Sequence, residues 1–302
     1  MTDSDCRSWF SAADLLTQDA SAPVALIGAP LGLGSITPGR CDLAPETVRA
    51  AMKRMSVYDL ETETDLSSLR VFDDGDISLD GLQPSDALVP IAERVVPLID
   101  RHPLVIVLGG NNAITRPCVH AYDQPLTQNY VGLLTLDAHF DLRDTDCGLT
   151  NGNPLQALLE DGIISGADIA QIGLLPFANT KKAHQKAKDA GIHVVSAATC
   201  KSQGLAEVAA NALDILSARC DVIHVDFDID VVERSAMPGA PGARPGGVAV
   251  QEFFDATRVI CAHPKVRSVD LTEFDPSLDV AAVSALTAAR WVCEVLAGFQ
   301  KR

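Results

Sequence analysis

Blocks of apolar and polar residues alternate along this chain. Short runs of mostly apolar residues are typical of parallel strands that are buried on both faces. Longer segments between them have helical patterns, for example 84–101 and 205–218. The strand-like runs occupy 23–28, 69–73, 104–108, 131–136, 169–173, 192–195, 222–228 and 266–271. Because about eight strands alternate with helices, and no linker or repeat divides the sequence, we predict a single three-layer α/β domain over residues 1–302.

Acidic residues alternate at the ends of two of these strands. The alternating residues are Asp137, His139 and Asp141 at the end of one strand, and Asp226, Asp228 and Asp230 at the end of the other. Residues two apart in an extended chain point to the same side. The carboxyl ends of parallel strands meet at one edge of the sheet, where open α/β folds place their sites. We therefore expect four or more carboxylates and an imidazole to converge in one cleft.

Such a cluster predicts a metal site. Without a cation the carboxylates would repel one another, and some of them would have to bind protons. A divalent ion removes the repulsion, and oxygen ligands with one imidazole favour Mn²⁺ over a metal that prefers thiolates. The alternative is that each aspartate caps a following helix or turn, but two alternating sets favour the metal. His224 points to the same side as Asp226 but lies deeper, so we expect a core histidine there.

Charge and composition restrict the partners. The 24 basic and 40 acidic residues give a net charge of −16, which argues against nucleic acid and anionic membranes. The eight cysteines are scattered without a CxxC pair, as in proteins with reduced, mostly buried thiols. The acidic N-terminus has no signal-peptide pattern, and no apolar run is long enough to span a bilayer. We therefore expect a soluble, cytoplasmic protein.

Three motifs make the chain resemble the arginase/agmatinase/formimidoylglutamase (ureohydrolase) family. The segment 137–141 resembles that family's Asp-Ala-His-x-Asp motif, 226–228 resembles its Asp-x-Asp motif, and 270–276 resembles its late strand with an active-site glutamate. The resemblance covers nearly the whole chain. It implies a three-layer α/β/α fold with an eight-stranded, mostly parallel sheet, a binuclear Mn²⁺ centre and a homo-oligomer (trimer or hexamer). It also implies hydrolysis of a C–N bond of a small linear amidine by a metal-bound hydroxide.

The resemblance also implies a set of metal ligands. Asp137 and Asp226 would bridge two Mn²⁺ ions. His139 and Asp228 would complete one of the two metal sites, and Asp141 would contribute to the other.

Asn112 departs from the family pattern. The family usually has Gly-Gly-Asp-His where this chain has Gly-Gly-Asn-Asn at 109–112, so Asn112 occupies the position of a metal-binding histidine. An amide oxygen can coordinate a hard cation, but it is a weaker donor to Mn²⁺ than imidazole. We therefore expect Asn112 to be a weak metal ligand, and the protein to bind two ions, or one if the site next to Asn112 is empty.

Two carboxylates are expected to act on the substrate. Asp141 could accept a proton or a hydrogen bond from the attacking hydroxide, and Glu273 would orient the cationic amidine through charge-assisted hydrogen bonds. The polar loop residues Asn151 and Asn153 are further candidates for substrate binding.

Arg143 and the loop at 151–152 bear on the choice of substrate. Arginases and agmatinases have His-Gly where this chain has Asn-Gly, and the loop without histidine, together with Phe140 and Arg143, resembles formimidoylglutamases. Arg143 could hold a substrate carboxylate in a bidentate contact, or it could form an ion pair with Asp144 or Asp146. We expect hydrolysis of N-formimino-glutamate; the alternatives are an agmatinase or guanidino-acid ureohydrolase, and a non-catalytic relative with an impaired metal site.

Overall fold

The computed structural model describes residues 9–124 and 129–302, so the acidic N-terminal segment and Cys6 lie outside the described residues. The strands are β1 (Leu16–Thr17), β2 (Val24–Ala29), β3 (Tyr58–Asp59), β4 (Thr64–Asp65), β5 (Val71–Asp76), β6 (Leu104–Gly109), β7 (Val131–Leu136), β8 (Ile169–Leu174), β9 (His193–Ser196), β10 (Val222–Asp228) and β11 (Val266–Thr272). The helices are α1 (Ala44–Met52), α2 (Pro84–Arg101), α3 (Thr115–His120), α4 (Pro154–Asp161), α5 (Lys181–Ala190), α6 (Ala197–Gln203), α7 (Leu205–Ser217), α8 (Val250–Ala262) and α9 (Val283–Phe299).

A large parallel sheet runs through the described residues in the order β1-β5-β2-β6-β11-β10-β7-β8-β9. All its neighbouring strands pair in parallel. The prediction of a mostly parallel sheet is confirmed, but the sheet has 9 strands rather than eight. The additional strand is β1, which has only 2 residues and is too short to produce a hydrophobic pattern. Strands β3 and β4 form a separate antiparallel pair.

The two faces of the sheet carry separate hydrophobic cores. In β6 the side chains of Leu104, Ile106 and Leu108 pack into one core, with residues of α1, α7, α8 and α9. Val105 and Val107 point to the other face and pack with residues of α2, α3, α4 and α5. Each side chain buried in this way contributes roughly 1.5–3 kcal/mol of transfer free energy. Helices therefore cover both faces, and the three-layer α/β/α prediction is confirmed.

Four neighbouring strands in the middle of the sheet position the site. They are β6, β11, β10 and β7, and their carboxyl ends lie at one edge. A close approach of two backbones fixes the turn after β6: a Cβ on Gly110 would lie 2.2 Å from the carbonyl oxygen of Leu31, so a glycine is required there. The amide of Asn111 donates to the same carbonyl at 2.9 Å. This turn leads directly to Asn112.

Two further expectations from the sequence concern the whole chain. In residues 9–124 and 129–302 no helix is long and apolar enough to cross a membrane. The cysteines in this part of the chain are free thiols, and all of them except Cys147 are buried.

Candidate active site

Two groups of possible metal ligands lie side by side at the ends of β7 and β10. One group consists of Asp137, His139 and Asp230, and the other consists of Asp137, Asp141 and Asp228. Within each group the candidate ligand atoms lie within 4.8 Å of one another. His139 Nδ1 is 2.9 Å from Asp230 Oδ2 and 3.5 Å from Asp137 Oδ1. Because Asp137 belongs to both groups, its carboxylate is placed between them.

The electrostatics of these groups fit a cation. Asp137 Oδ2 is buried and has no hydrogen-bond partner among the described residues, which is costly for a carboxylate oxygen. Burial, and then the charge of Asp230, raise the pKa of Asp137 to about 6. Burial also raises the pKa of Asp141 and of Asp228 well above the usual range. Burial opposes protonation of His139, but Asp230 and Asp137 outweigh it and raise the pKa of His139 to about 12. A metal ion would take the place of these protons.

The structure groups the candidate ligands differently from the sequence-based assignment, in which Asp226 bridges the two ions and which stays a prediction. Neither group includes Asp226. In the sheet Asp226 is the register partner of Asp270 on β11, one strand period below Asp228, and a strand rises about 6.6 Å over two residues. Asp230, which follows β10, takes the position that we had expected for Asp228, and Asp228 joins Asp141. The signal was present in the alternation, which continues to Asp230.

Asn112 lies beside Asp141, and both polar atoms of its side chain have hydrogen-bond partners. Its Nδ2 donates to Asp141 Oδ2 at 2.6 Å. Its Oδ1 accepts from the hydroxyls of Thr115 at 2.8 Å and Thr272 at 3.1 Å. The oxygen that would coordinate an ion is therefore already occupied by two donors. In this arrangement Asn112 orients Asp141.

Glu273 faces the same cavity as the acidic groups. Its Oε1 accepts hydrogen bonds from the Asn112 amide at 2.8 Å and from Asn151 Nδ2 at 2.9 Å. Asn151 is held in turn by the loop after β2, because its Oδ1 accepts from the amide of Ile36 at 2.9 Å. Burial raises the pKa of Glu273 to about 7. The side chain is thus fixed in position and its protonation is sensitive to a nearby cation.

Backbone strain coincides with two of the candidate residues. Asp141 has φ 51° and Glu273 has φ 63°, both in the left-handed region that disfavours residues with a Cβ. Strain of this kind persists where the surrounding structure enforces it, and it is often found at functional sites. Both side chains line the cavity.

Arg143 also lines the cavity, whereas Asn153 does not. In residues 9–124 and 129–302 the structure gives the Arg143 guanidinium no ion pair or hydrogen bond. The alternative partner Asp144 pairs instead with Lys182 and, at 2.8 Å, with Lys186. Asn153 is buried and donates to the carbonyls of Asp144 and Gly148, so it holds the loop in shape.

His224 occupies a buried position below the acidic groups, as expected. Its Nδ1 lies 2.7 Å from Ser268 Oγ, and its Nε2 lies 3.1 Å from Asp270 Oδ2. Both ring nitrogens therefore have partners within the core.

Comparison with known proteins identifies relatives of this chain in sequence and in structure. The model of the arginase family matches residues 22–298. The sequence is 31% identical over 286 residues to formimidoylglutamase of Bacillus subtilis (strain 168), covering 94% of this chain and 89% of that protein. A crystal structure of formimidoylglutamase from Bacillus subtilis subsp. subtilis str. 168 has a TM-score of 0.91 and 29% identity, and the match covers 98% of this chain and 94% of that chain.

A structure of Trypanosoma cruzi formiminoglutamase with Mn²⁺ has the same fold. Its TM-score is 0.87 at 24% identity, and the match covers 95% of this chain and 96% of that chain.

The fold and the site thus define a hydrolase with candidate metal-binding groups at the carboxyl end of a parallel sheet. The chain belongs to the arginase family. This confirms the resemblance drawn from the sequence and the prediction of an enzyme that hydrolyses a C–N bond of a linear amidine.

Proposed function

We propose that this protein is a Mn²⁺-dependent hydrolase of N-formimino-glutamate. The observation that carries the proposal is one cavity lined by His139, Asp141, Asp228, Asp230, Glu273 and Arg143. Among the described residues Arg143 has no ion-pair partner. Carboxylates and one imidazole are a ligand set suited to Mn²⁺. Glu273 matches a cationic amidine and Arg143 matches a carboxylate, and N-formimino-glutamate contains both groups.

The five strand-end residues would hold the metal. His139 and Asp230 would bind one ion, Asp141 and Asp228 the other, and Asp137 would contact both. When bound, the ions would supply an activated water for attack on the amidine carbon. A homo-oligomer and a cytoplasmic location remain predictions from the sequence.

Side chains of the protein would orient the substrate and transfer a proton during the reaction. Asn112 and Asn151 hold the carboxylate of Glu273 by hydrogen bonds. This carboxylate would accept hydrogen bonds from two N–H groups of the amidinium and so turn the amidine carbon toward the acidic groups. Asp141 would accept a proton from the attacking water at the carboxylate oxygen that does not bond to Asn112, and would return it to the nitrogen that leaves. Water would add to the amidine carbon, and one of its two C–N bonds would then break, which yields either the free amine with formamide or ammonia with the N-formyl compound.

The test is a substrate screen with Mn²⁺-loaded protein. We expect turnover of N-formimino-glutamate, measured as glutamate, formamide and ammonia, and little urea from agmatine, arginine or small guanidino acids. Efficient urea release without formimino-glutamate turnover would favour a guanidino-acid ureohydrolase. Inactivity on every compound by protein that holds metal would contradict the enzymatic proposal.

The number of ions can be tested at Asn112. Because both hydrogen-bonding positions of its amide oxygen are taken, we expect one tight and one weak Mn²⁺ site. Asn112→His should tighten the weak site by about tenfold, within the range by which residues around a metal tune its affinity. Calorimetric titration that finds two equally tight sites in the wild type would overturn this expectation.

A further inference from the structure

Arg244 is a second basic side chain on the wall of the cavity, across the sequence from Arg143. It lies in the glycine- and proline-rich loop after β10 and is exposed at the surface of the protein. Its Nη1 donates to the carbonyls of Pro241 at 3.2 Å, Gly242 at 2.8 Å and Ala243 at 3.3 Å. In the described part of the chain its Nε and Nη2 have no hydrogen-bond partner and no carboxylate pairs with it. One nitrogen is thus anchored, while the other edge of the guanidinium can accept a ligand.

The loop that carries Arg244 is fixed directly against the candidate metal ligands. A Cβ on Gly242 would lie 1.9 Å from Asp230 Oδ2, so the backbone approaches this carboxylate as closely as a glycine allows. From the other side, Arg234 Nη1 donates to the carbonyls of Ala240 at 3.0 Å and Ala243 at 3.1 Å. Packing therefore sets the position of the Arg244 backbone relative to Asp230. Because the loop is already ordered, binding of a ligand by Arg244 would not carry the entropic cost of ordering the loop.

Arg143 is held on its own wall by a different loop. Its amide donates to the carbonyl of Gly152 at 3.1 Å. A Cβ on Gly152 would come within 3.0 Å of Arg143 Cδ, so this glycine leaves room for the arginine side chain. Two arginines from separate loops thus line one cavity and lack carboxylate partners among the described residues.

We propose that Arg244 binds a second carboxylate of the substrate and that Arg143 binds the first. This inference rests on the proposed function, and it assigns a binding residue to the second carboxylate of N-formimino-glutamate. Arginine suits such a role, because its planar fork contacts a carboxylate through two N–H groups and it remains charged at all working pH values. A substrate with one carboxylate leaves one arginine without a partner.

The test compares three substrates in wild type and in Arg244→Gln and Arg143→Gln. The substrates are N-formimino-glutamate, 4-formimidoylaminobutyrate, which lacks the carboxylate next to nitrogen, and N-formimino-norvaline, which lacks the distal one. Glutamine removes the charge but keeps an N–H donor for the loop carbonyls. The control is Arg54→Gln, because Arg54 is exposed and does not line the cavity. Melting temperatures check that each variant folds.

We expect Arg244→Gln to lower kcat/KM for N-formimino-glutamate by about 10- to 100-fold, mainly through KM, as for loss of a hydrogen bond to a charged group. One of the two monocarboxylate substrates lacks the carboxylate that Arg244 binds, and on that substrate Arg244→Gln should change kcat/KM by less than about threefold. Arg143→Gln should likewise change kcat/KM little on the other monocarboxylate substrate. Arg244→Lys should recover part of the loss, because lysine keeps the charge but loses the fork.

Equal losses on all three substrates, or no loss, would overturn the role of Arg244 and leave the proposed function intact. If the wild type does not hydrolyse N-formimino-glutamate, the proposed function fails. The role of Arg244 is then decided by calorimetric binding of N-formimino-glutamate to the Mn²⁺-loaded protein. A Kd that is at least tenfold weaker in Arg244→Gln supports it, and equal or undetectable binding in both proteins overturns it.

Discussion

Two layers of buried polar residues lie one above the other, the lower on β10 and β11 and the upper at the carboxyl end of β10 and just after it. The upper layer contains Asp228 and Asp230 and opens into the cavity. The lower layer contains Asp226, Asp270 and His224, all with no exposed surface. Both layers contain two aspartates, and Asp228 lies one strand period above Asp226. They differ in what neutralises their charge.

Hydrogen bonds hold most of the lower layer together, but Asp226 Oδ2 and Asp270 Oδ1 have no partner among the described residues. A chain of contacts runs from the Tyr122 hydroxyl to Ser268 Oγ at 2.7 Å, then to His224 at 2.7 Å and to Asp270 at 3.1 Å. Burial, and then the charge of Asp270, raise the pKa of Asp226 well above its usual range, so a proton can be shared between the two side chains. Cys118, His224 and Asp270 lie close enough together to bind an ion, but both nitrogens of His224 are already used. A proton on Asp226 would join it to Asp270 through oxygens that otherwise have no partner among the described residues, whereas the upper layer lines the cavity and is open to ligands.

The largest effect on catalysis is expected at Glu273, which lines the same cavity as the upper layer. Glu273→Ala removes the partner of the cationic amidine, and we expect kcat/KM for N-formimino-glutamate to fall about 100-fold, equivalent to about 2.7 kcal/mol. Mn²⁺ content should stay unchanged, because Glu273 is in neither ligand group. Glu93→Ala, at an exposed position on α2, is the control. Steady-state kinetics that show equal rates in both variants would remove Glu273 from the mechanism.

The lower layer should govern stability. Ser268→Ala removes the partner of both the Tyr122 hydroxyl and His224 Nδ1, and we expect the free energy of unfolding to fall by about 2 kcal/mol. Mn²⁺ affinity should be unaffected. Urea unfolding of the metal-free protein measures the effect, with the exposed Ser85→Ala as the control. A variant of normal stability that binds Mn²⁺ poorly would reverse the roles of the two layers.

The pH dependence of metal stabilisation gives a smaller effect with a defined sign. The pKa values of Asp137 and Glu273 are raised to about 6 and about 7 in the metal-free fold. An acid with a raised folded-state pKa makes folding less favourable as pH rises from its unfolded value, about 4, to its folded value. Mn²⁺ needs the ionised ligands and offsets this loss. We therefore expect Mn²⁺ to raise the melting temperature by several degrees more at pH 8 than at pH 5. An increase that is the same at both pH values would contradict the expectation.

The sequence was sufficient for the parts of the fold that depend on strand patterns. β7 and β10 begin and end where the apolar runs predicted. Helices α3 and α6 were missed, because they have only 6 and 7 residues and too few turns for a periodic pattern. Strand β1 was missed because its 2 residues are too few to show an alternating pattern.

The sequence predicted that these acidic residues form a cluster, but it did not predict which of them line the cavity and which lie beneath it. Asp226, Asp228 and Asp230 alternate on one side of the chain, and alternation alone cannot say which two reach the cavity. That choice depends on where β10 ends relative to β7 and β11, and this is set by the register that pairs Asp226 with Asp270. The sequence did not point to Arg244, because the role proposed for it depends on contacts between its loop and residues distant in sequence.

The central claim is that Asp230, and not Asp226, is a metal ligand. The direct measurement is the Mn²⁺ affinity of Asp230→Asn and Asp226→Asn by titration and elemental analysis. Asparagine at 226 can still donate a hydrogen bond to Asp270, so we expect near-normal Mn²⁺ binding in Asp226→Asn. In Asp230→Asn a carboxylate that lies 2.9 Å from His139 loses its charge, and we expect affinity to fall at least about tenfold. Normal binding in Asp230→Asn together with loss of metal in Asp226→Asn would contradict the account.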